Sequence, residues 1–213
     1  MLVSTSFCNS VADRMPGPTI AGFPISGSCH NVNVMALATG VTVDDYLSTV
    51  YHPDCEYIEG EIIERNMGEF DHSGGQLIIC THLLNQASKQ GAFVFPELRM
   101  QTAPRRFRVP DIVVTTKKGR GRILREPPFL CVEILSPEDR FSRVEAKIRE
   151  YLDFGVLNVW LIDPRQKKAW SYSEEGRVET DTRLATSEPD LSLNLPDLFA
   201  TLDTYVDAEA EAE

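Results

Sequence analysis

The 213-residue chain reads as an α/β protein with a mixed central sheet flanked by helices. Two observations carry that reading. Strand-like and helix-like segments alternate from about residue 42 onward, the pattern of a layered sheet-and-helix domain. Two of the strand-like runs are also apolar at both alternating positions. These are Val109-Pro110-Asp111-Ile112-Val113-Val114 and Phe129-Leu130-Cys131-Val132-Glu133-Ile134-Leu135. Successive side chains of a strand point to opposite faces, so such runs belong to a sheet covered on both sides.

Residues 1–38 are rich in Ser, Gly, Pro and Asn and keep no period, which reads as a loose N-terminal extension. Met35 lies just before the first organised element and offers an alternative start. A domain of residues 39–202 follows, then an acidic tail of residues 203–213. Thr42-Val43-Asp44-Asp45-Tyr46-Leu47 predicts a short helix, with Thr42 as cap and two acids in its first turn. Residues 56–64 predict a hairpin turning at Glu59-Gly60. From Asp71 to about Ser88, the spacing of Leu77, Cys80, Leu84 and Ala87 predicts a helix. Ala92–Met100 and Phe107–Thr115 predict two strands, joined near Pro104. Lys117–Arg125 predicts a loop, and Phe129–Leu135 the next strand. Ser136 is the expected cap of a helix with Pro137, Glu138 and Asp139 in its first turn. Its apolar stripe is Val144, Ile148, Tyr151 and Leu152, and Gly155 ends it. Asn158–Ile162 and Lys168–Tyr172 are two more strands around a turn at Asp163-Pro164.

Composition excludes several classes of function. Cys8, Cys29, Cys55, Cys80 and Cys131 are scattered and odd in number, with neither the spacing of a disulfide framework nor that of a zinc module. No apolar run approaches the roughly 20 residues of a membrane helix, and no basic, then apolar leader opens the chain. A cytoplasmic protein with no membrane partner is the default expectation. The formal charge of −11 argues against general affinity for nucleic acid. It is unevenly spread, however. Five acids fall between Asp203 and Glu213, whereas the stretch from Arg105 to Arg125 holds eight Lys and Arg against Asp111 alone.

The chemistry lies between Pro110 and Lys147. A carboxylate interrupts each of the two apolar runs, and burying an ionised carboxylate alone is costly, so each needs a cation, a metal or water. One such acid taken alone reads as a strand-end residue reaching solvent or an arginine. Two of them, Asp111 and Glu133, followed by a lysine on the next helix, favour a site that holds a divalent metal and polarises a phosphate.

These motifs, taken in order, resemble the Uma2 family, formerly DUF820, of the PD-(D/E)xK restriction-endonuclease-like superfamily. They are Pro110-Asp111, Glu133-Ile134-Leu135-Ser136-Pro137, Lys147 with Glu150-Tyr151 and Gly155-Val156, and Val159-Trp160-Leu161-Ile162-Asp163-Pro164. Glu59-Gly60-Glu61 and the Leu-Pro-Asp-Leu-Phe ending at Phe199 extend the likeness over roughly residues 42 to 200. The resemblance implies a restriction-endonuclease-like fold and a metal-dependent endonuclease, with Asp111, Glu133 and the Ile134 carbonyl as ligands of Mg²⁺ or Mn²⁺. The superfamily's strict motif would put lysine at position 135, which is Leu135 here. The resemblance moves that role to Lys147, which borders Val144 and Ile148 on the sheet-facing side. It also implies a histidine near the site at His72, whose other reading is a helix-entry histidine satisfied by local backbone.

Glu61 and Glu64 are expected to face solvent. Lys117 and Lys118, with the basic loop around them, are candidates for tracking phosphates of DNA, the alternative being a solvated charged loop. A homodimer follows only by analogy with small nuclease domains that cut duplexes in pairs. Two other functions compete with the endonuclease. One is a non-catalytic nuclease-fold binding or assembly protein, and the other a hydrolase of a small phosphodiester.

Overall fold

The computed structural model describes residues 40–66 and 68–205. The N-terminal extension of residues 1–38, Met35, and residues 206–213 of the acidic tail lie outside the described residues.

Helix α1 (Val43–Ser48) opens the domain, its cap Thr42 accepting a hydrogen bond from the Asp45 N–H. Strands β1 (Cys55–Ile58) and β2 (Glu61–Glu64) form the expected hairpin. Its turn residues Glu59 and Gly60 have φ of 52° and 104°, the left-handed pair that matches the twist of tight hairpins and is easiest with glycine second. Helix α2 (Phe70–Ala87) follows.

The next two predicted strands are each broken in two. Ala92–Met100 becomes β3 (Phe93–Pro96) and β4 (Met100–Ala103), and Phe107–Thr115 becomes β5 (Arg106–Arg108) and β6 (Ile112–Thr115). Both breaks fall at a proline, Pro96 and Pro110, which offers no N–H to a ladder. The long hairpin therefore bends between two sheets. Its base, β3 with β6, lies in a six-stranded sheet, and its tip, β4 with β5, lies in a four-stranded one of order β2-β1-β5-β4.

The larger sheet continues through β7 (Leu130–Ile134), helix α3 (Phe141–Phe154), β8 (Asn158–Asp163) and β9 (Lys168–Ser173). Here β7 and β8 pair in parallel across α3, and the other pairs are antiparallel. Ser136 does not cap α3. The Asp139 carboxylate instead accepts from the Ser136 N–H at 2.8 Å, closing a turn over the span expected to be helical, and α3 begins at Phe141 behind an Arg140 with no side-chain capping bond. Three strands carry too little signal to read in sequence. They are β10 (Gly176–Thr180) on the sheet's edge and the small pair β11 (Arg183–Ala185) and β12 (Ser192–Asn194). Helix α4 (Leu195–Leu202) closes the domain, its cap Asn194 accepting from the Asp197 N–H.

The two faces of the large sheet are covered separately. Ile112, Val114, Leu130, Val132 and Ile134 pack with Ile79 and Leu83 of α2 and with α4. On the other face Val113, Cys131, Val159 and Leu161 pack with Val144, Ile148 and Tyr151 of α3 and Met100 of β4. The smaller sheet has its own aromatic core, in which Tyr46, Tyr57 and Phe107 are fully buried and Tyr46 stacks on Tyr57 at 5.1 Å. Phe107→Ala should therefore cost about 3–5 kcal/mol, as large-to-small changes of buried aromatics do, and urea unfolding would measure it.

Candidate active site

Ile112 pairs with Val132 and Val113 with Cys131. One step outward along the same antiparallel register sets Asp111 opposite Glu133. Residues directly opposed across a ladder share a face, here the face that carries Val113 and Cys131 under α3. Both acids are buried, at 4% and 7% exposure. Lys147 stands on the sheet-facing side of α3 between Val144 and Ile148, and its Nζ lies 2.9 Å from Glu133 Oε2. The structure thus brings Asp111, Glu133 and Lys147 to one end of the sheet.

His72 joins them. From the first turn of α2 its Nε2 lies 3.2 Å from Asp111 Oδ2, and the same oxygen accepts the Ile134 N–H at 2.8 Å. Gln76, one turn on, donates to the Asp111 carbonyl. Lys117 and Lys118 are not part of this assembly. They follow the far end of β6, and the chain from Asp111 to Lys117 spans about 20 Å if extended. There they line a separate cleft of about 810 Å³, with Lys117 paired to Glu126 at 3.2 Å.

Three residues absent from the sequence-based site complete it. Glu56 of β1 is 5% exposed, and its carboxylate takes Lys147 Nζ at 2.9 Å and Arg108 Nη1 at 2.8 Å. Arg108 in turn reaches Glu150 at 2.6 Å. Arg65, just after β2, donates to Asp111 Oδ1 at 2.7 Å and to Glu97 at 2.9 Å. Glu56 carries the same signal as the other two acids, a carboxylate among apolar strand neighbours (Cys55-Glu56-Tyr57-Ile58), but it lies in a hairpin whose charges are expected to face solvent. Arg65 and Arg108 carry no local signal, since each owes its position to the fold of the small sheet. Glu61 and Glu64, at the two ends of β2, are exposed, as expected. The three buried acids, with Arg65, His72, Arg108 and Lys147, line a cleft of about 260 Å³ between the two sheets and α3.

The two central acids differ in proton affinity. Burial disfavours the charge on Asp111, yet His72, Lys147 and Arg65 hold its carboxyl below the usual range. On Glu133 burial, reinforced by Asp111 and Glu56, outweighs Lys147 and the Tyr151 hydroxyl, and its carboxyl is pushed up to about 7. Glu56 is buried too, but Lys147 and Arg108 bring it down to about 2. Burial works against the charge on Lys147, and the surrounding carboxylates still hold its ammonium above the ordinary lysine value. Like charges in one pocket divide protons unequally in this way.

Stability should follow these shifts in opposite directions. Glu56 has a depressed folded pKa, so its contribution is present above about 4.5 and is lost as pH falls toward 2. Glu133 holds its proton more tightly folded than unfolded, so stability falls as pH rises from about 4.5 to 7. Each effect is on the order of 3 kcal/mol at 1.36 kcal/mol per pKa unit. The metal-free protein should be most stable near pH 5, and Glu133→Gln should flatten only the limb above it. Urea titrations across pH test both, and a wild-type profile flat from pH 5 to 8 would refute the Glu133 contribution.

Among the described residues no three His, Cys, Asp or Glu side chains are grouped to hold a metal ion. The donors available are two buried carboxylates on one face and the Ile134 carbonyl at the end of β7, beside the N–H bonded to Asp111. Such an all-oxygen, low-count set fits Mg²⁺ or Mn²⁺, ions that keep several waters, and not a zinc cage. No helix among the described residues is long and apolar enough to cross a membrane.

Comparison with known proteins agrees with the fold. A crystal structure described as that of a "putative nuclease belonging to DUF820" from Anabaena variabilis ATCC 29413 superposes with a TM-score of 0.69 at 28% identity, over 76% of this chain and 99% of that one. A structure of DrdV with DNA overlaps at a TM-score of 0.37 and 13% identity, over 68% of this chain and 13% of that one, and bears on neither fold nor function. No curated protein matches. Residues 44–206, which take in both main sheets and every residue of the acidic cleft, match the family described as "Uma2: Putative restriction endonuclease", and the chain belongs to that family.

Proposed function

We propose that this Uma2 protein is a Mg²⁺- or Mn²⁺-dependent endonuclease that hydrolyses phosphodiester bonds in DNA. In this reading it is a PD-(D/E)xK enzyme whose lysine has moved from the strand to α3. The observation that carries the proposal is the opposition of Asp111 and Glu133 across β6 and β7, with Lys147 Nζ 2.9 Å from Glu133. The family and its Anabaena relative, both described in nuclease terms, support the same reaction class.

Asp111, Glu133 and the Ile134 carbonyl would hold the ion. When bound, such an ion lowers the pKa of a water and offsets charge developing on phosphate. The Tyr151 hydroxyl, 2.7 Å from Glu133 Oε1, fixes the carboxylate's rotamer from one turn beyond Lys147 on α3. Lys147, charged throughout the working pH range, is placed to hydrogen-bond a non-bridging phosphate oxygen as its charge grows. His72, hydrogen-bonded to Asp111 at the mouth of the cleft, can orient a water or a phosphate oxygen. Arg65 must yield Asp111 Oδ1 for that oxygen to serve as a ligand, and Glu97 remains its partner.

The carbonyl and carboxylate set supplies no base-reading groups, so the reading stops at DNA as a class. A second reading has its own observation. Each of the three buried acids of the cleft already has a protein cation, Arg65 and His72 on Asp111 and Lys147 on Glu133 and Glu56. A closed network of this kind also suits a nuclease-fold binding protein. The deciding experiment is cleavage of single- and double-stranded DNA and RNA with Mg²⁺, Mn²⁺ or EDTA, beside calorimetric titration of Mn²⁺. Absence of both cleavage and Mn²⁺ binding would leave the binding protein as the better reading.

The basic loop is expected to act on affinity alone. Neutralising Lys117, Lys118, Arg120 and Arg122 together should weaken DNA binding and reduce its salt slope by about 0.9 for each phosphate the loop no longer neutralises. The single-turnover cleavage rate at saturating DNA should stay unchanged, because the loop lies at the other end of the sheet. A slope equal to that of the wild type would make the loop a solvated surface.

A further inference from the structure

Helix α2 is apolar on two opposite sides. Its inner face buries Gly75, Ile79, Leu83 and Ala87. Its outer face exposes Phe70, Leu77 and Leu84 at 77%, 61% and 52%. These three stand seven residues apart, a repeat that lines side chains into one ridge along a helix. Between and beside them are Ser73, Thr81 and Asn85, also exposed, and the outer face of this helix carries no Lys, Arg, Asp or Glu. In a chain with 25% charged residues a solvated helix face is ordinarily where charge collects. A contiguous apolar ridge exposed on such a face marks an interaction surface. The other large exposed apolar residues, such as Val50, Leu157 and Val178, stand singly on separate elements and form no ridge.

We infer that a second copy of this chain covers the ridge, α2 packing antiparallel on α2 about a two-fold axis at Leu77. The ridge is its own complement. Phe70, Ser73, Leu77, Thr81 and Leu84 alternate large and small, and their offsets from Leu77 are the same in both directions. An antiparallel pair therefore sets Phe70 against Leu84 of the partner subunit, Ser73 against Thr81 of the partner subunit, and Leu77 against its own copy. The three large apolar pairs then form one seam along the axis, with the smaller hydroxyl-bearing pairs between them, and the two-fold repeats it from either chain. A two-fold interface brings every residue near the axis close to its own copy, so a charge-free centre avoids like-charge repulsion. Tyr205, 49% exposed, packs over Gly74 and widens the apolar surface beside the ridge.

The size of the surface sets the strength. Helix α2 is about 27 Å long at 1.5 Å per residue, and a pair of such helices covers several hundred Å², on the order of half a standard interface of about 1,200–2,000 Å². The dimer is accordingly reversible and concentration-dependent. Because His72 lies in the first turn of α2, the antiparallel arrangement places the two acidic clefts at opposite ends of the helix pair.

Sedimentation equilibrium of the full chain from about 1 to 200 µM tests the inference. The expected result is a mass rising from one chain toward two. Leu77→Glu, which sets two carboxylates at the axis, should raise the dissociation constant at least a hundredfold while leaving the melting temperature of dilute protein unchanged. Oxidative cross-linking tests the geometry against a wild-type baseline. Leu77→Cys should link to itself, whereas Phe70→Cys should link only when mixed with Leu84→Cys. A wild-type chain that stays monomeric over the whole range would overturn the proposal. So would a dimer that persists in Leu77→Glu, and so would a fall in the melting temperature of dilute Leu77→Glu, which would mean that the chain's own residues cover the ridge.

Discussion

Asp111→Asn is expected to lower metal-dependent cleavage by about 10³-fold or more, the largest effect of any single change in the cleft. A thousandfold loss corresponds to about 4 kcal/mol of transition-state stabilisation. The amide is nearly isosteric, but it replaces a charged ligand by a neutral one and so removes the electrostatic hold on a hard cation. The fold should survive at some expense. A lone buried carboxylate would gain stability on neutralisation, but Asp111 is not alone. Its oxygens accept from Arg65, His72 and the Ile134 N–H. Asparagine keeps one acceptor for Ile134 and leaves Arg65 with only Glu97, which should destabilise the metal-free protein by about 1–3 kcal/mol. Calorimetric loss of Mn²⁺ binding together with loss of cleavage would establish Asp111 as a ligand. A variant that cleaves at the wild-type rate would remove the metal-dependent mechanism altogether.

The centre of this site is legible in sequence because its signal is local. A carboxylate inside a long run that is apolar on both faces is readable where it stands, and Asp111 and Glu133 both sit in such runs, whereas Glu56 sits in a short hairpin strand. Lys147 can be placed because α3 keeps a clean period, with Val144, Ile148 and Tyr151 buried, so a residue beside Ile148 must border the sheet. The hidden part depends on long-range geometry. Glu56, Arg65 and Arg108 reach the cleft only because the β3–β6 hairpin bends at Pro96 and Pro110 and carries its tip into a second sheet. Both prolines are visible, but nothing local distinguishes a bend between two sheets from an irregular edge of one. Helix α2 shows the converse. Its boundaries are readable, yet Leu77 and Leu84, two of the residues that define its period, point outward, and Ile79 and Leu83 form the buried side. A helix apolar on both sides does not tell a sequence reader which side is the core.

Lys147→Met carries the other large effect, and it acts on two quantities at once. In turnover, removing a cation placed to meet charge on the phosphate should lower the rate constant by about 10²–10³-fold while metal affinity changes far less, since the ammonium is not a ligand. In stability, Lys147 holds two buried acids, Glu133 and Glu56, each at 2.9 Å. Breaking a buried ion pair by removing one partner typically costs about 3–5 kcal/mol. Glu56 keeps Arg108 and the Val109 N–H, so the loss falls mainly on Glu133, which keeps only the Tyr151 hydroxyl. Lys147 is one of the groups that hold Glu133 down against burial, and its carboxyl should rise further without it. The variant should therefore lose stability more steeply than the wild type as pH climbs above 5. Glu133→Gln in the same chain should restore much of that stability without restoring any turnover, because it removes the stranded charge and not the missing cation. That combination separates the two roles of the lysine. If Lys147→Met destabilised the fold while cleavage per folded molecule stayed at the wild-type level, Lys147 would be a structural counter-ion, and the catalytic cation would have to be sought in His72 or Arg65.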